Sequence, residues 1–204
     1  MTTSEATLGG ARPTVARIEA VWQRAALVGI LGLSAFLNAF QLGQNEFANT
    51  YYSAAVRSML ESWHNFLYVS FDPGGLVSVD KPPLALWAQA ASAKVFGFSS
   101  WSILLPQALA GVLAVGLLYA LIARVFGRLA GLAGALALAV SPVSVAVNRD
   151  NNPDALLAVL LVASAYVGLR AVESGRLRTL LLSSTLVGLA FSTKMLVAAI
   201  VVPG

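Results

Sequence analysis

Polar stretches alternate along the chain with apolar runs at about 25–42, 102–123, 129–147, 153–170 and 179–193, and a sixth run opens at Met195. A spanning helix needs about 20 predominantly apolar residues. The second and third runs meet that length alone, and the fourth and fifth meet it by borrowing polar residues at their ends. Pro106 and Pro142 fall inside runs, which helices in lipid tolerate better than helices in water. Ahead of the first run lies a tail, residues 1–24, whose opening stretch from Thr2 to Gly10 reads as disordered. No A-x-A-like cleavage site follows the first run, so a signal peptide is not expected. The last residues, Val201-Val202-Pro203-Gly204, lie inside an apolar run. Residues 25–204 therefore read as the N-terminal part of a longer membrane domain.

Between the first two runs, residues 44–100 are too long for a simple connection and too apolar for a disordered one. From Glu46 to Ser62, Phe47, Tyr51, Ala55 and Met59 recur at spacing four, with Asn49, Ser53 and Arg57 on the other face. That periodicity predicts an amphipathic helix. Pro82-Pro83 opens a second helix, which runs through Trp87 to Val95 and stops at Gly97. Asp72-Pro73-Gly74-Gly75 between them is turn chemistry. Trp63, Trp87 and Trp101 suit the aromatic belt at a bilayer interface. The fold class is thus all-α: a polytopic helix bundle with amphipathic interfacial helices in its first outer loop.

Composition agrees, with 58% hydrophobic and 11% charged residues against about a quarter charged in soluble domains. The net charge of +4 is scattered over helix ends with no basic run, so a nucleic-acid partner is not expected. No cysteine and a single histidine, His64, exclude disulfides, thiol catalysis and paired-histidine metal motifs. No cofactor is implied, and the sequence leaves the metal requirement open. With the N-terminus cytoplasmic, the inner side receives Arg12, Arg17, Arg24, Arg124, Arg128, Arg170, Arg176 and Arg178, and the outer side five basic residues. That bias predicts a multi-pass cell-membrane protein with residues 44–100 and 148–153 outside. Six of the nine acids also fall outside: Glu46, Glu61, Asp72, Asp80, Asp150 and Asp154.

Three clusters on that face carry candidate chemistry: Asn45-Glu46 with Asn49, Tyr51, Tyr52 and Arg57; Asp80-Lys81-Pro82-Pro83; and Asn148-Arg149-Asp150-Asn151-Asn152-Pro153-Asp154. Each also has a plain structural use. Arg57 and Glu61 make an i,i+4 pair, Asn152 caps a helix whose first turn holds Asp154, and Lys81 pairs with Asp80 or snorkels.

The segments Glu46-Phe-Ala-Asn-Thr-Tyr-Tyr-Ser-Ala-Ala-Val-Arg-Ser-Met59, Ser62-Trp-His-Asn-Phe66 and Val79-Asp-Lys-Pro-Pro-Leu-Ala-Leu-Trp87 resemble the first outer loop of the membrane glycosyltransferases of the protein mannosyltransferase and aminoarabinose transferase type. Phe96-Gly97, Asn148 to Asp154 and Gly188-Leu-Ala-Phe-Ser-Thr-Lys-Met195 continue the likeness in order, and the chain is most similar to the actinobacterial branch. The resemblance implies a GT-C fold that moves a sugar from a polyprenyl-phosphate carrier in the lipid bilayer to an acceptor at the extracytoplasmic face, by an inverting displacement. Many relatives carry an Asp-Glu pair before the loop tyrosine; by spacing from Tyr52 and Arg57, those positions are Ala48 and Asn49 here. Glu46, Asp150 or Asp154 is left for the catalytic carboxylate, with Glu46 ranked first and expected to lie near Asp154. Lys81, Asp80, Asn49, Tyr52, Arg57, Arg149 and Lys194 are the candidate substrate-binding residues, with Lys81 at the helix N-cap holding the phosphate.

The rival readings are a transporter, whose site would hold ionisable groups inside its spans, and a non-catalytic scaffold fragment. The charges here sit at span ends instead. Cysteines placed at Ser78 and Asn151 are expected to react with an impermeant thiol reagent in intact cells. Labelling only after permeabilisation would invert the topology.

Overall fold

In a computed structural model describing residues 11–201, with side chains from 19 to 199, the apolar runs fold as long helices. Helix α1 spans Ala11–Ala39, α5 Ser100–Phe126, α8 Asp154–Ser174 and α9 Leu177–Lys194. Each contributes a segment long and apolar enough to cross a bilayer. Helix α1 starts well before the apolar run, within the segment read as a tail; the disorder expected of Thr2–Gly10 lies outside the described residues.

The third run departs from expectation. It divides into α6, Arg128–Ala139, and α7, Pro142–Asn148, bent by 61°. Pro142 cannot donate a backbone hydrogen bond, and the Ser141 side chain caps the new start by accepting from the Ser144 amide. The sixth run is likewise no new α-helix among the described residues. Met195 takes a left-handed φ of 48°, and a 3-10 segment, Met195–Val201, follows.

Glycines set the helix spacing. A Cβ on Gly131 would lie 2.7 Å from the Ala123 Cβ, and one on Gly134 2.4 Å from Ile122. The α5–α6 hairpin therefore closes at a distance only small residues allow. Gly111 does the same for α7, since a Cβ there would stand 2.2 Å from Asn148 Nδ2.

The bundle has two distinct ends. At one, Arg124 donates to Glu173 at 2.7 and 2.9 Å, and Arg128 reaches Gln23. At the other, the segment between α1 and α5 forms a cap of three helices: α2, Thr50–Met59; α3, Trp63–Tyr68; and α4, Leu84–Phe96. Helix α4 ends as expected at Gly97, φ 82°, and starts two residues later than expected, with Pro83 at the N-cap. Helix α2 is shorter and turned from expectation. Tyr52, Ala55, Val56 and Met59 form its buried stripe, while Phe47 and Tyr51 are exposed and Ser53 is buried. The stripe follows i, i+3, i+4 and i+7 spacing rather than strict fours. Helix α3 is too short for its periodicity to show in sequence.

A narrow hairpin joins α3 to α4. Ser70 faces Ser78, and Phe71 and Val79 donate to Val77 and Val69 at 2.7 and 3.0 Å. Asp72 closes the turn, accepting from the amides of Leu76 at 3.2 Å and Val77 at 2.6 Å. These amides hold its carboxyl below the usual carboxylate range.

Asn151, expected to be open to reagents, is fully buried, so of the two labelling positions only exposed Ser78 serves. Replacing Asn151 by Ala is expected to cost about 1–3 kcal/mol of stability by stranding its buried partners, seen as a lower unfolding midpoint in detergent. For Asp72, a depressed folded-state pKa means its contribution is complete above the unfolded value and lost as pH falls through the folded one. The Leu76 and Val77 amides of the hairpin should therefore lose protection from exchange as pH falls through that lowered pKa, and an Asp72→Ala variant should lack that acid step.

Candidate functional site

The loop between α7 and α8 organises the capped end. Asn151 Nδ2 donates to the Asn49 carbonyl at 3.0 Å and to Ser53 Oγ at 2.8 Å, and its Oδ1 accepts from the Asn49 amide at 2.9 Å. The Asn151 carbonyl accepts from Gln89 of α4 at 2.8 Å. Asn49 is the N-cap of α2, its side chain accepting from the Tyr51 amide at 3.1 Å. This network joins α2, α4 and the start of α8, and sequence reasoning missed its centre. The signal available was an amide-rich loop following an apolar run.

Around it lies the principal cluster. Tyr52 is buried and faces Lys81, Pro82, Ala85, Leu86, Asn151 and Pro153. Lys81 pairs with Asp80 at 2.7 Å, and the Asp80 amide donates to the Tyr51 hydroxyl at 3.4 Å. Burial raises the Tyr52 hydroxyl above its ordinary pKa; the Lys81 charge opposes the shift, and the Asp80 and Asp154 charges add to it. The hydrogen bond to Asp80 raises Lys81, which therefore stays charged. Lys81 precedes the N-cap, Pro83, by two residues instead of occupying it. The first free amides of α4 are thus not replaced by proline. Asp154, first residue of α8, pairs with Lys194, last residue of α9, where the helix breaks into the left-handed Met195.

The other candidates stand apart from these four charges. Arg149 is committed to the end of α1, donating to the carbonyls of Leu37 at 2.9 Å and Phe40 at 2.8 Å. Its own carbonyl accepts from Asn45 at 2.8 Å. Asp150 accepts from the Asn151 amide at 2.7 Å and from the Asn152 side chain. Asn152 therefore caps no helix; Pro153 holds that position. Asp150 and Arg149 border a shallow depression with Asn45, Ala48, Asn49 and Ala146.

Arg57 makes no ion pair with Glu61. Its guanidinium lies over the Phe98 ring, 5.1 Å from the centroid. Glu46 is exposed, with its carbonyl accepting from Ser100 Oγ and its neighbour Phe47 stacked on Phe98 at 5.3 Å. Ser100 follows the C-terminus of α4 and Lys81 precedes its N-terminus, a helix about 20 Å long at 1.5 Å per residue. Glu46 and Asp154 share no hydrogen-bonding partner.

The chain is similar in sequence and fold to known proteins. Residues 80–204 match the family described as dolichyl-phosphate-mannose-protein mannosyltransferase. Two Bacillus subtilis (strain 168) proteins, named "Putative mannosyltransferase YycA" and "Putative mannosyltransferase YkcB", are 49% identical over 179 residues and 45% over 177. They align with 88% and 87% of this chain, which spans only 26% and 25% of their length. The crystal structure of ArnT from Cupriavidus metallidurans in the apo state superposes with a TM-score of 0.68 at 22% identity, covering 90% of this chain and 34% of that one. That likeness shows a GT-C helical fold. The apolar helices and these relatives identify a multi-pass membrane chain that belongs to the dolichyl-phosphate-mannose-protein mannosyltransferase family of glycosyltransferases.

Proposed function

We propose that this chain is the N-terminal part of a glycosyltransferase that takes a sugar from a polyprenyl-phosphate carrier and delivers it to an acceptor at the extracytoplasmic face. The N-terminus is cytoplasmic and the α2–α4 cap lies outside. The observation that carries the reading is the convergence of Lys81–Asp80 and Lys194–Asp154 around buried Tyr52 at the ends of the spans. A polyprenyl phosphate has its tail in lipid and its phosphate at the interface, so its site belongs at helix ends. The charges here lie there and not at the bilayer midplane, where a transporter would place them.

In this proposal Lys81 holds the carrier phosphate, as a point charge able to stabilise the phosphate oxygen when the sugar–phosphate bond breaks. Asp154 takes the proton from the acceptor hydroxyl, whose oxygen attacks the anomeric carbon from the face opposite the phosphate. Lys194 orients Asp154 through their ion pair, and Tyr52 packs beneath Lys81. Asp154 is preferred to Glu46 as the base because it belongs to the charged cluster about Tyr52, whereas the Glu46 backbone is bonded to Ser100 beyond the C-terminal end of α4. Arg149, Asn49 and Asp150 hold the loop that presents Asp154, and Arg57 anchors the α4–α5 turn. Residues beyond this chain complete the site in proteins of the relatives' length.

In the full-length protein, Asp154→Asn is expected to lower sugar transfer by about two orders of magnitude or more, while Glu46→Gln stays within a few-fold of the parent. Thermal unfolding in detergent and carrier binding should remain close to the parent in both. Loss with Glu46→Gln and retention with Asp154→Asn would reverse the assignment. Lys81→Gln should weaken binding of the polyprenyl phosphate and slow transfer; unchanged carrier affinity would place the phosphate elsewhere.

A further inference from the structure

We propose that a groove between α2, α3 and α4 holds a hydrocarbon tail of a bilayer phospholipid, separate from the Lys81 cluster. The groove has a volume of about 380 Å³; its apolar lining is Met59, Leu60, Phe66, Ala90, Ala91 and Val95, and the exposed residues Glu61, Ser62, Trp63 and Lys94 complete it. Its size lies within the range of small-molecule pockets, about 300–1,000 Å³. Two adjacent alanines of α4, buried Ala90 and exposed Ala91, line it and leave open the space that larger side chains would fill. Its wall is braced by aromatic contacts. Trp63 meets Phe66 edge-on at 5.7 Å, Phe66 stacks on Trp87 at 6.0 Å, and Trp87 Nε1 donates to the Phe66 carbonyl at 2.8 Å. The groove is thus held open by packing that asks nothing of the occupant.

Continuity with the membrane-facing surface identifies that occupant. Along α5 the unburied positions Trp101, Leu105, Leu109 and Leu113 form one stripe at spacing four. At its upper end Trp101 meets Phe96 edge-on at 5.6 Å, and Phe96 adjoins Val95 of the groove. Exposed apolar side chains therefore lead from the face of a span through Trp101 and Phe96 to Val95 at the groove. A contiguous apolar surface of this kind marks contact with lipid. Trp63, 79% exposed, stands at the mouth, where an indole suits the headgroup boundary. Lys94 also lines the mouth and makes no ion pair among the described residues. Its ammonium can reach lipid phosphates while its stem follows the groove. The length of α4 separates this mouth from Lys81.

The 204 residues hold no cysteine, so once any cysteine in the rest of the protein is replaced, one introduced thiol carries a unique nitroxide. In the full-length protein, labels at Ala91 in the groove and at Trp63 on its rim are compared with one at Leu109 on the span, in vesicles of neutral phosphatidylcholine without polyprenyl phosphate. Hydrocarbon admits oxygen and excludes a polar nickel chelate. The Ala91 label should show an oxygen-to-nickel collision ratio close to that at Leu109 and well above that of a water-exposed label, with Trp63 between the two. A high nickel collision rate at Ala91 would overturn the proposal in favour of a water-filled groove. Low collision rates with both reagents would overturn it in favour of cover by protein. A hydrocarbon signature that arises only after polyprenyl phosphate is added would assign the groove to the carrier and also overturn it. Should Ala91→Cys impair folding, a label at Val95, which lines the groove and is exposed, decides in its place by the same outcomes.

Discussion

The geometry of the capped end depends on one buried amide. Asn151 is fully buried, and both its side-chain atoms and its carbonyl are used: by Asn49 and Ser53 of the α2 region and by Gln89 of α4. An amide withdrawn from water is stable only when its donors and acceptors are matched, so the three segments can meet in few other ways. Tyr52 follows Asn49 by three residues, Asp154 follows Asn151 by three, and Lys81 precedes α4. The side chains of the principal cluster are therefore placed by a residue that carries no charge.

Two further constraints hold the loop that bears Asn151. Arg149 donates to carbonyls at the end of α1, groups that a helix C-terminus leaves without intrahelical partners. A cation there also meets the negative end of the helix dipole. The bend at Pro142 then swings α7 against α5, where Gly111 leaves room for Asn148. A straight helix through residues 128–148 would carry the loop along the bundle axis rather than over α1 and α5. The bend at Pro142 and the space at Gly111 thus accompany the placement of Arg149 on its carbonyls.

Much of this fold is legible in the sequence where the signal is local. Apolar runs locate α1, α5, α8 and α9, and the pair Pro83 and Gly97 bounds α4, because length and stop residues are properties of single segments. The break at Pro142 is not legible from hydropathy, since a proline in lipid can bend a span or pass through it. The buried face of α2 is missed for another reason. Phe47 and Tyr51 are as apolar in sequence as Val56, and only the packing of α4 against α2 decides which face is covered. Candidate site residues divide along the same line. Residue type suggests Arg149, Asp150 and Arg57 as ligands, yet their partners are carbonyls, amides and the Phe98 ring, contacts made across the fold or within a turn. Sequence supplies the charges, and topology decides which of them remain for a substrate.

The charges that do converge are balanced, two cations against two carboxylates. Such balance suits a site at the edge of a bilayer, where an isolated charge would draw water and a net charge would hold a bound counter-ion. It also bears on the proposed chemistry. A phosphate arriving at Lys81 competes directly with Asp80, because a lysine ammonium offers its donors from a single point. Asp80 is the more exposed partner of that pair, at 61% of its side-chain surface against 32% for Lys81, so it can turn to water when displaced. Asp154 is less exposed and is held by a lysine at a broken helix end, so it keeps its orientation while the other pair opens. One pair is thus suited to exchange its partner and the other to stay fixed, the division of labour that phosphate capture and proton removal require.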